Sequence, residues 1–237
     1  MTEWSAPPKT NELTENRLIT AILKGVFPIN SNLPSERVLA RQLGVTRPTL
    51  REALQRLAGS GWVEIRHGKS TRVRDFLREG NLTILNALAR RPEFIDPDFV
   101  RQLLEVRVQI APAYTRLAFE NQPKAFKALL PSPVTIPDEP QAFADADRRL
   151  HQKSALLSGN AIYPLLMNSF EELSLAAGLQ YFSLPIARKT SLQFYQQLLT
   201  AAEQGSAQII EEITRAMMQT SISIWQKSTG KTGGKHV

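Results

Sequence analysis

Hydrophobic residues in the first third of the chain repeat with the spacing of an amphipathic helix. Four of them fall at i, i+3, i+4 and i+7 and share one helix face: Leu50, Ala53, Leu54 and Leu57. Thr46 suits the N-cap of this helix, and Pro48 is tolerated in its first turn. Gly59 and Gly61 follow the last apolar position, so the pattern predicts a helix that ends there.

A shorter helix is predicted immediately before it. Ser35 suits the N-cap of this helix, and its apolar side consists of Val38, Leu39 and Leu43. Gly44 then supplies the turn between the two helices. This order of elements predicts a helix-turn-helix, whose second helix presents its N-terminal turns to the major groove of DNA.

A change to strand-like composition follows. Trp62–Ile65 and Ser70–Val73 have the β-branched and aromatic residues that are typical of strands. The connection between them contains Gly68, which suits a tight hairpin turn. The hairpin predicts a wing, in which His67 and Lys69 supply hydrogen-bond donors and charge for a minor groove.

Positive charge is concentrated in the same region. Residues 34–74 contain nine Lys or Arg and three Glu, a net charge of +6, whereas the whole chain carries +7. On the second helix, Arg47, Thr49 and Arg51 point away from the apolar face and are placed to reach bases and phosphates. Together these features favour DNA binding over a generic basic three-helix domain.

The rest of the chain has a helical period and no predicted strand. Predicted helices include a short one with Leu82, Leu85, Leu88 and Ala89, a long one over Asp98–Glu120, and others over about 141–158, 161–178, 186–204 and 206–227. The sequence therefore predicts a mainly α protein. Its parts are an N-terminal winged helix-turn-helix (α+β) over 1–76, an all-α helical bundle over 77–227, and a disordered tail over 228–237.

Arg107 interrupts the apolar face of the long predicted helix. That face contains Val100, Leu103, Leu104, Ala111 and Tyr114. An unpaired charge among buried residues is costly, so Arg107 must have a partner. The spacing leaves two kinds of partner open: a carboxylate of the chain, such as Glu171 or Glu172, or an anionic ligand.

The last predicted helix also carries polar groups on its apolar face. The stripe consists of Ile210, Ile213, Met217, Thr220, Ser221 and Ile224. Hydroxyls on an inward face either bond to their own helix or contact a ligand. Trp225, one position further on, either closes a pocket or packs in the core.

Composition excludes several other chemistries. The chain has no cysteine, and therefore no disulfide, thiolate nucleophile or cysteine-based zinc site. A nucleophile-elbow motif and a recognisable pair of catalytic carboxylates are both missing from the sequence, which leaves an enzymatic function without support. The N-terminus lacks the apolar core of a signal peptide, and no apolar run reaches membrane-spanning length. We therefore expect a cytoplasmic protein without a membrane partner.

Several segments resemble the GntR family of bacterial transcription factors. In the DNA-binding region they are 34–40 (PSERVLA), 44–54 (GVTRPTLREAL) and the hairpin after Gly61-Trp62. The segments that select one branch, the FadR branch, are Gly61-Trp62 with 67–69 (HGK), then 81–90 (NLTILNALAR), 103–107 (LLEVR), 158–163 (SGNAIY), 180–185 (QYFSLP) and 222–225 (ISIW). The resemblance covers about residues 12 to 226.

The resemblance implies a homodimer whose two winged domains read palindromic operator DNA. It places the DNA contacts at eight positions: Arg37, Thr46, Arg47, Thr49, Arg51, His67, Gly68 and Lys69. It also implies that the helical domain binds a long-chain acyl-CoA through Arg107, Ser221 and Trp225, and that this binding releases the DNA. By the resemblance, an anionic group of CoA explains Arg107 better than an internal salt bridge does.

The branch also implies repression of fatty-acid degradation genes and activation of unsaturated fatty-acid synthesis genes. The alternative is a GntR-type repressor that responds to a small organic acid. Many relatives with this type of domain bind a metal through Asp-x-x-x-His and two later histidines. Here Asp147 and His151 keep the first pair, but Tyr195 and Met217 stand at the later positions. We therefore expect no metal site and no cofactor.

Overall fold

The computed structural model describes residues 10–130 and 136–230. The chain divides into two compact units, the first ending at Ala87 and the second beginning at Leu88. The domain boundary expected after residue 76 stays a prediction. Of the tail expected to be disordered, residues 231–237 lie outside the described part of the chain, and Ser228 still belongs to the last helix.

The N-terminal unit has the expected winged helix-turn-helix. Its elements are α1 (Thr10–Leu23), α2 (Glu36–Leu43), α3 (Arg47–Ser60), β1 (Val63–Glu64), β2 (Arg72–Val73) and α4 (Phe76–Glu79), followed by α5 (Thr83–Ala89), which crosses the division. The apolar stripe of α3 is buried, as the spacing predicts, and packs with fully buried Leu18 of α1, Trp62 and Val73.

Caps fix the ends of α2 and α3. The Thr46 side chain accepts a hydrogen bond from the Thr49 backbone N–H at 3.3 Å, which confirms Thr46 as the N-cap of α3. Gly44 adopts the left-handed conformation (φ 69°) that the turn requires. Ser35 occupies the N-cap position of α2, as predicted, but its side chain makes no capping bond. The carboxylate of Glu36 in the first turn supplies the favourable negative charge there instead.

The wing is a short antiparallel hairpin. Val63 is opposite Val73, and Glu64 is opposite Arg72. The strands are shorter than predicted because the chain leaves the sheet at Ile65, whose side chain is 49% exposed. Gly68, at the tip, has φ 70°, a conformation that glycine adopts without strain.

The C-terminal unit is helical in its described residues. Its helices are α6 (Pro97–Asn121), α7 (Pro123–Leu129), α8 (Pro140–Leu157), α9 (Ile162–Ser169), α10 (Glu171–Phe182), α11 (Pro185–Gln204) and α12 (Ala207–Ser228), preceded by a short 3-10 turn at Pro92–Phe94. Helix α6 packs along α12 and α8, and the hydrophobic core of the unit, to which α11 also contributes, includes Tyr114, Leu150, Tyr195 and Leu198. The single helix predicted over 161–178 is two helices.

The helix predicted over 161–178 does not end at Gly178, which lies inside α10. A Cβ at this position would lie 3.4 Å from the Cβ of Ala144 on α8. The glycine therefore serves the close packing of two helices, which sequence punctuation alone cannot distinguish from a stop signal.

Two residues assigned to apolar faces are exposed. Leu82 precedes α5 and is 43% exposed, whereas Ile84 and Leu88 are buried. Thr220 is exposed and donates its hydroxyl to the Ala216 carbonyl on its own helix. The buried polar residues of α12 are Thr214 and Ser221. They belong to the buried face of the helix, whereas Thr220, the residue before Ser221, does not.

Candidate functional site

A basic groove lies between α2, α3 and the wing in the N-terminal unit. The cavity has a volume of about 1190 Å³. Six of the eight predicted DNA-contacting residues line it: Arg37, Arg47, Arg51, His67, Gly68 and Lys69. The structure thus brings the start of the recognition helix α3 and the wing tip to one surface, with Arg47 and Lys69 both exposed.

The remaining two predicted residues form the cap of α3. The hydroxyls of Thr46 and Thr49 lie 2.9 Å apart, and either one can donate to the other. They occupy the helix N-terminus, where unpaired backbone N–H groups and the helix dipole favour a phosphate. Their placement therefore combines a structural role with access to a DNA backbone.

The groove also contains residues that the sequence did not single out. Arg66 reaches from the wing to Asn32, with Nη2 2.5 Å from Oδ1, and bonds to the Ser70 carbonyl at 3.1 Å. Arg66 therefore holds the wing in place instead of pointing freely to a ligand. Glu36 accepts a hydrogen bond from Arg51, with Oε2 2.7 Å from Nε. Neither contact can be predicted from neighbouring residues in the sequence, because the partners are 34 and 15 residues apart.

The C-terminal unit contains a buried ion pair around Arg107. Nη2 of Arg107 lies 3.0 Å from Oδ2 of Asp147, across helices α6 and α8. The expected partners Glu171 and Glu172 are wrong, because they pair with Arg148 and Arg90 on the more exposed surface. Asp147, expected as a remnant of a metal pair, is the carboxylate that neutralises Arg107. Arg107 therefore has an internal salt bridge, contrary to the expectation that an anionic group of CoA explains it better.

His151 and Tyr114 extend this cluster. The Tyr114 hydroxyl lies 2.7 Å from Nδ1 of His151, and Nε2 of His151 lies 3.4 Å from Oδ1 of Asp147, too long for a good hydrogen bond. Burial and the charge of Arg107 lower the pKa of His151, so its ring is neutral at pH 7. Within the described residues no group of three or more metal-ligating side chains is found.

Several buried polar atoms of this cluster lack a hydrogen-bond partner. They are Nε of Arg107, Nε2 of His151 and the hydroxyls of Tyr181 and Tyr195. Burial raises the pKa of Tyr181 to about 12 and that of Tyr195 well above its usual value, so both hydroxyls remain protonated donors. Unpaired buried polar atoms are uncommon in folded proteins, so these groups are candidate contacts for a ligand.

Trp225 and Ser221 lie at one edge of this cluster. The Trp225 indole donates to the Pro97 carbonyl at 2.7 Å and lines an open, mostly apolar groove of about 520 Å³ with Leu179 and Leu184. One turn earlier on α12, the Ser221 hydroxyl donates to the Met217 carbonyl at 3.0 Å. The Ser221 hydroxyl also acts to lower the pKa of Tyr181, against the larger effect of burial, and Trp225 lies one helical turn further along α12.

The buried histidine gives a pH prediction for stability. Because the pKa of His151 is lower in the folded state than in the unfolded state, its contribution is complete above about pH 6.5 and declines as the pH falls further. We therefore expect the melting temperature of the C-terminal unit to fall between pH 7 and pH 5 through this group.

Calorimetry at several pH values tests this. His151→Gln should flatten the dependence of the melting temperature on pH, whereas His67→Gln, a change on the exposed wing tip, should leave it in place. If the melting temperature of the His151→Gln variant depends on pH as strongly as that of the wild type, His151 is not the group responsible for the dependence.

No described helix is both long and apolar enough to span a bilayer. A winged helix-turn-helix with a basic groove, followed along the chain by a helical unit, is the architecture of a DNA-binding transcription regulator. Residues 10–73 match the family described as bacterial regulatory proteins, gntR family, and residues 74–233 match the FadR C-terminal domain. The chain therefore belongs to the GntR family of transcription regulators and carries a FadR C-terminal domain.

Relatives of this chain are known from several bacteria. The chain is 40% identical over 213 residues to the fatty acid metabolism regulator protein of Klebsiella pneumoniae strain 342, covering 90% of this chain and 89% of that protein. It is 39% identical over 216 residues to the protein of the same name from Yersinia pestis strain Pestoides F, covering 91% and 90%. The solved structure of Lar from Listeria monocytogenes shares the fold, with a TM-score of 0.64 at 17% identity, covering 93% of this chain and 98% of that chain.

Proposed function

We propose that this chain is a cytoplasmic homodimeric regulator of fatty-acid metabolism. Its winged units bind a palindromic operator, and a long-chain acyl-CoA bound in the C-terminal unit releases the DNA. The observation that carries the effector part is the buried cluster around Arg107, with its unpaired donors beside an apolar groove at Trp225. Relatives named as fatty acid metabolism regulators support the physiological assignment.

The charge balance of the cluster favours a thioester over a free acid. Arg107 is already neutralised by Asp147, His151 is neutral because its pKa is lowered, and the buried tyrosines are protonated. A carboxylate entering this neutral cluster would be a buried charge without a counter-charge, which is costly. A thioester carbonyl accepts hydrogen bonds without carrying charge. This argues for an acyl-CoA and against the alternative, a small organic acid.

The apolar groove suits the other part of such a ligand. Leu179, Leu184 and Trp225 give it an apolar wall, while Ser183 and Thr229 lie in the same lining. A ligand with a long alkyl chain and a polar head has the same division of character. We therefore propose that the effector enters at this groove and reaches the buried donors beyond Ser221. By the family resemblance the regulator represses fatty-acid degradation genes and activates unsaturated fatty-acid synthesis genes.

A gel-shift titration tests the effector assignment directly. The operator is first selected from random duplex DNA with the wild-type protein, and the complex is then titrated with oleoyl-CoA, free CoA, oleate and a small dicarboxylic acid. Release by oleoyl-CoA alone is the expected result. Release by the dicarboxylic acid supports the alternative sensor. Release by none of them contradicts both effector assignments while leaving DNA binding established.

Ser221→Ala probes the effector site with minimal structural change. Ser221 and Ser223 are both on α12 and both donate to the carbonyl four residues earlier, but Ser221 is buried and Ser223 is exposed. Loss of one ligand hydrogen bond, worth about 1 kcal/mol, should raise the oleoyl-CoA concentration for half-release roughly fivefold in Ser221→Ala. Ser223→Ala should match the wild type, and equal effects of the two changes would argue against a role for Ser221.

Arg47→Ala probes base reading. A bidentate contact to guanine is worth about 1–3 kcal/mol, so operator affinity should fall by roughly five- to 150-fold while affinity for random duplex falls much less. Arg41→Ala on α2 removes the same charge outside the lining of the groove and serves as the control. If Arg47→Ala weakens operator and random DNA equally, Arg47 contacts only the phosphate backbone.

A further inference from the structure

One carboxylate stands in the groove that faces DNA. Among the described residues that line it, Glu36 is the only acidic side chain, and the same lining contains Arg37, Arg47, Arg51 and Lys69. A negative charge here repels the phosphates that the basic residues attract. Glu36 is therefore expected to weaken non-specific binding to DNA. A carboxylate at this position suggests a benefit for binding to a specific DNA sequence.

The contacts of Glu36 indicate that role. Glu36 opens α2, and its Oε2 accepts the Nε–H of Arg51 on α3 at 2.7 Å. The Arg51 side chain is 61% exposed, so most of its surface stays accessible from the groove. A guanidinium held through Nε presents its two outer nitrogens in one plane, which is the geometry that a guanine edge requires. Without the carboxylate, a long exposed arginine would sample many rotamers.

We infer that Glu36 is a positioning residue that sets the specificity of DNA binding through Arg51. It holds the Arg51 fork in the orientation for base contact and withholds part of the Arg51 charge from phosphates. Operator DNA, which offers the matching base edge, keeps the contact in the presence of Glu36. Random DNA offers only phosphates and meets both a repelling carboxylate and a partly neutralised arginine.

Glu36→Gln tests the inference, with Glu52→Gln as the matched control. Both changes remove one negative charge from the same unit. Glu52 lies on α3, outside the groove lining, and its Oε2 accepts from the Asn11 side chain at 3.1 Å. Each variant is measured on the selected operator and on a scrambled duplex of the same composition, over a range of salt concentrations.

For Glu36→Gln we expect affinity for the scrambled duplex to rise roughly three- to tenfold, with a salt dependence steeper by about one charge. Operator affinity should stay level or fall, so the ratio of the two affinities drops. Glu52→Gln should leave this ratio unchanged. If Glu36→Gln changes both affinities by the same factor, as a general charge effect would, the inference is overturned.

A second experiment tests whether Glu36 acts through Arg51. In an Arg51→Ala background, Glu36→Gln should no longer lower the operator-to-scrambled ratio, because the side chain that Glu36 positions is gone. A ratio that still falls as far as it does with Arg51 present would show that Glu36 acts on DNA directly. Thermal unfolding of every variant, followed by circular dichroism, distinguishes loss of specificity from loss of fold. Operator binding by the wild-type protein in the same assay tests the proposed function separately, so failure of the Glu36 inference would leave that function intact.

Discussion

Replacement of Gly61 by alanine is expected to destabilise the N-terminal unit by about 2–5 kcal/mol and to abolish operator binding at 37 °C. Gly61 follows α3 with φ 89°, a left-handed conformation that disfavours any side chain. A Cβ there would lie 2.6 Å from Cα of Gly80 and 3.2 Å from the carbonyl oxygen of Glu79. Both neighbours are backbone atoms, so the clash cannot be relieved by rotating a side chain.

Gly59→Ala is the matched control two residues earlier. Gly59 lies within α3, and a Cβ there would meet nothing within 4 Å. Alanine should therefore stabilise the helix by about 0.5–1 kcal/mol. Urea unfolding followed by circular dichroism measures both variants. A Gly61→Ala protein that unfolds within 0.5 kcal/mol of the wild type would contradict the importance of the contact.

The consequence for DNA binding follows from what surrounds Gly61. The Trp62 and Phe76 rings lie 4.8 Å apart, and the Asn81 side chain donates to the Gly59 carbonyl at 3.1 Å. These contacts attach the chain after the wing to the C-terminal end of the recognition helix. Displacing Gly80 would disturb the end of the helix whose start carries Arg47.

Local signals explain why the DNA-binding fold could be predicted from the sequence. The apolar spacing of α3, the cap at Thr46 and the left-handed Gly44 all act within a few residues, so their pattern is visible along the chain. The eight predicted DNA contacts come from that pattern and the family resemblance. The structure places six of them in one groove and the other two at the start of α3.

Tertiary contacts explain what the sequence could not predict. Gly61 reads as a helix stop, but its close approach to Gly80 depends on where the later segment packs. Gly178 gives the same signal and lies inside a helix, because α8 and α10 approach closely there. Arg107 was recognisable as a charge on an apolar face, yet its partner depends on how α6 and α8 align, which no spacing within α6 specifies.

That partner supports the second large prediction: Asp147→Asn should destabilise the C-terminal unit by about 2–4 kcal/mol. The side chains of Arg107 and Asp147 are only 19% and 17% exposed, so removing the carboxylate charge leaves a mostly buried guanidinium without a counter-charge. Glu172→Gln breaks the Arg90–Glu172 pair, whose side chains are 65% and 41% exposed. An exposed pair contributes about 0–1 kcal/mol, so this control should unfold almost as the wild type does.

The pH dependence of the same pair has a definite sign. The Arg107 charge outweighs the effect of burial and holds the pKa of Asp147 well below its usual range. Its contribution to stability is therefore complete above the unfolded-state pKa of about 4 and is lost as the pH falls through the folded-state pKa. The Asp147→Asn variant should lack this loss, so the difference in unfolding free energy between wild type and variant should shrink on acidification below pH 4.

A double variant separates stability from sensing. Arg107→Met with Asp147→Leu replaces both charges by apolar groups of similar size, and such replacements of buried pairs are often neutral or stabilising. We expect urea unfolding to show recovery of most of the stability lost in Asp147→Asn. The operator complex of this variant should no longer dissociate with oleoyl-CoA, because the unpaired Nε donor of Arg107 proposed to contact the effector is gone. A double variant that is stable and still released by oleoyl-CoA would confine the Arg107–Asp147 pair to a structural role.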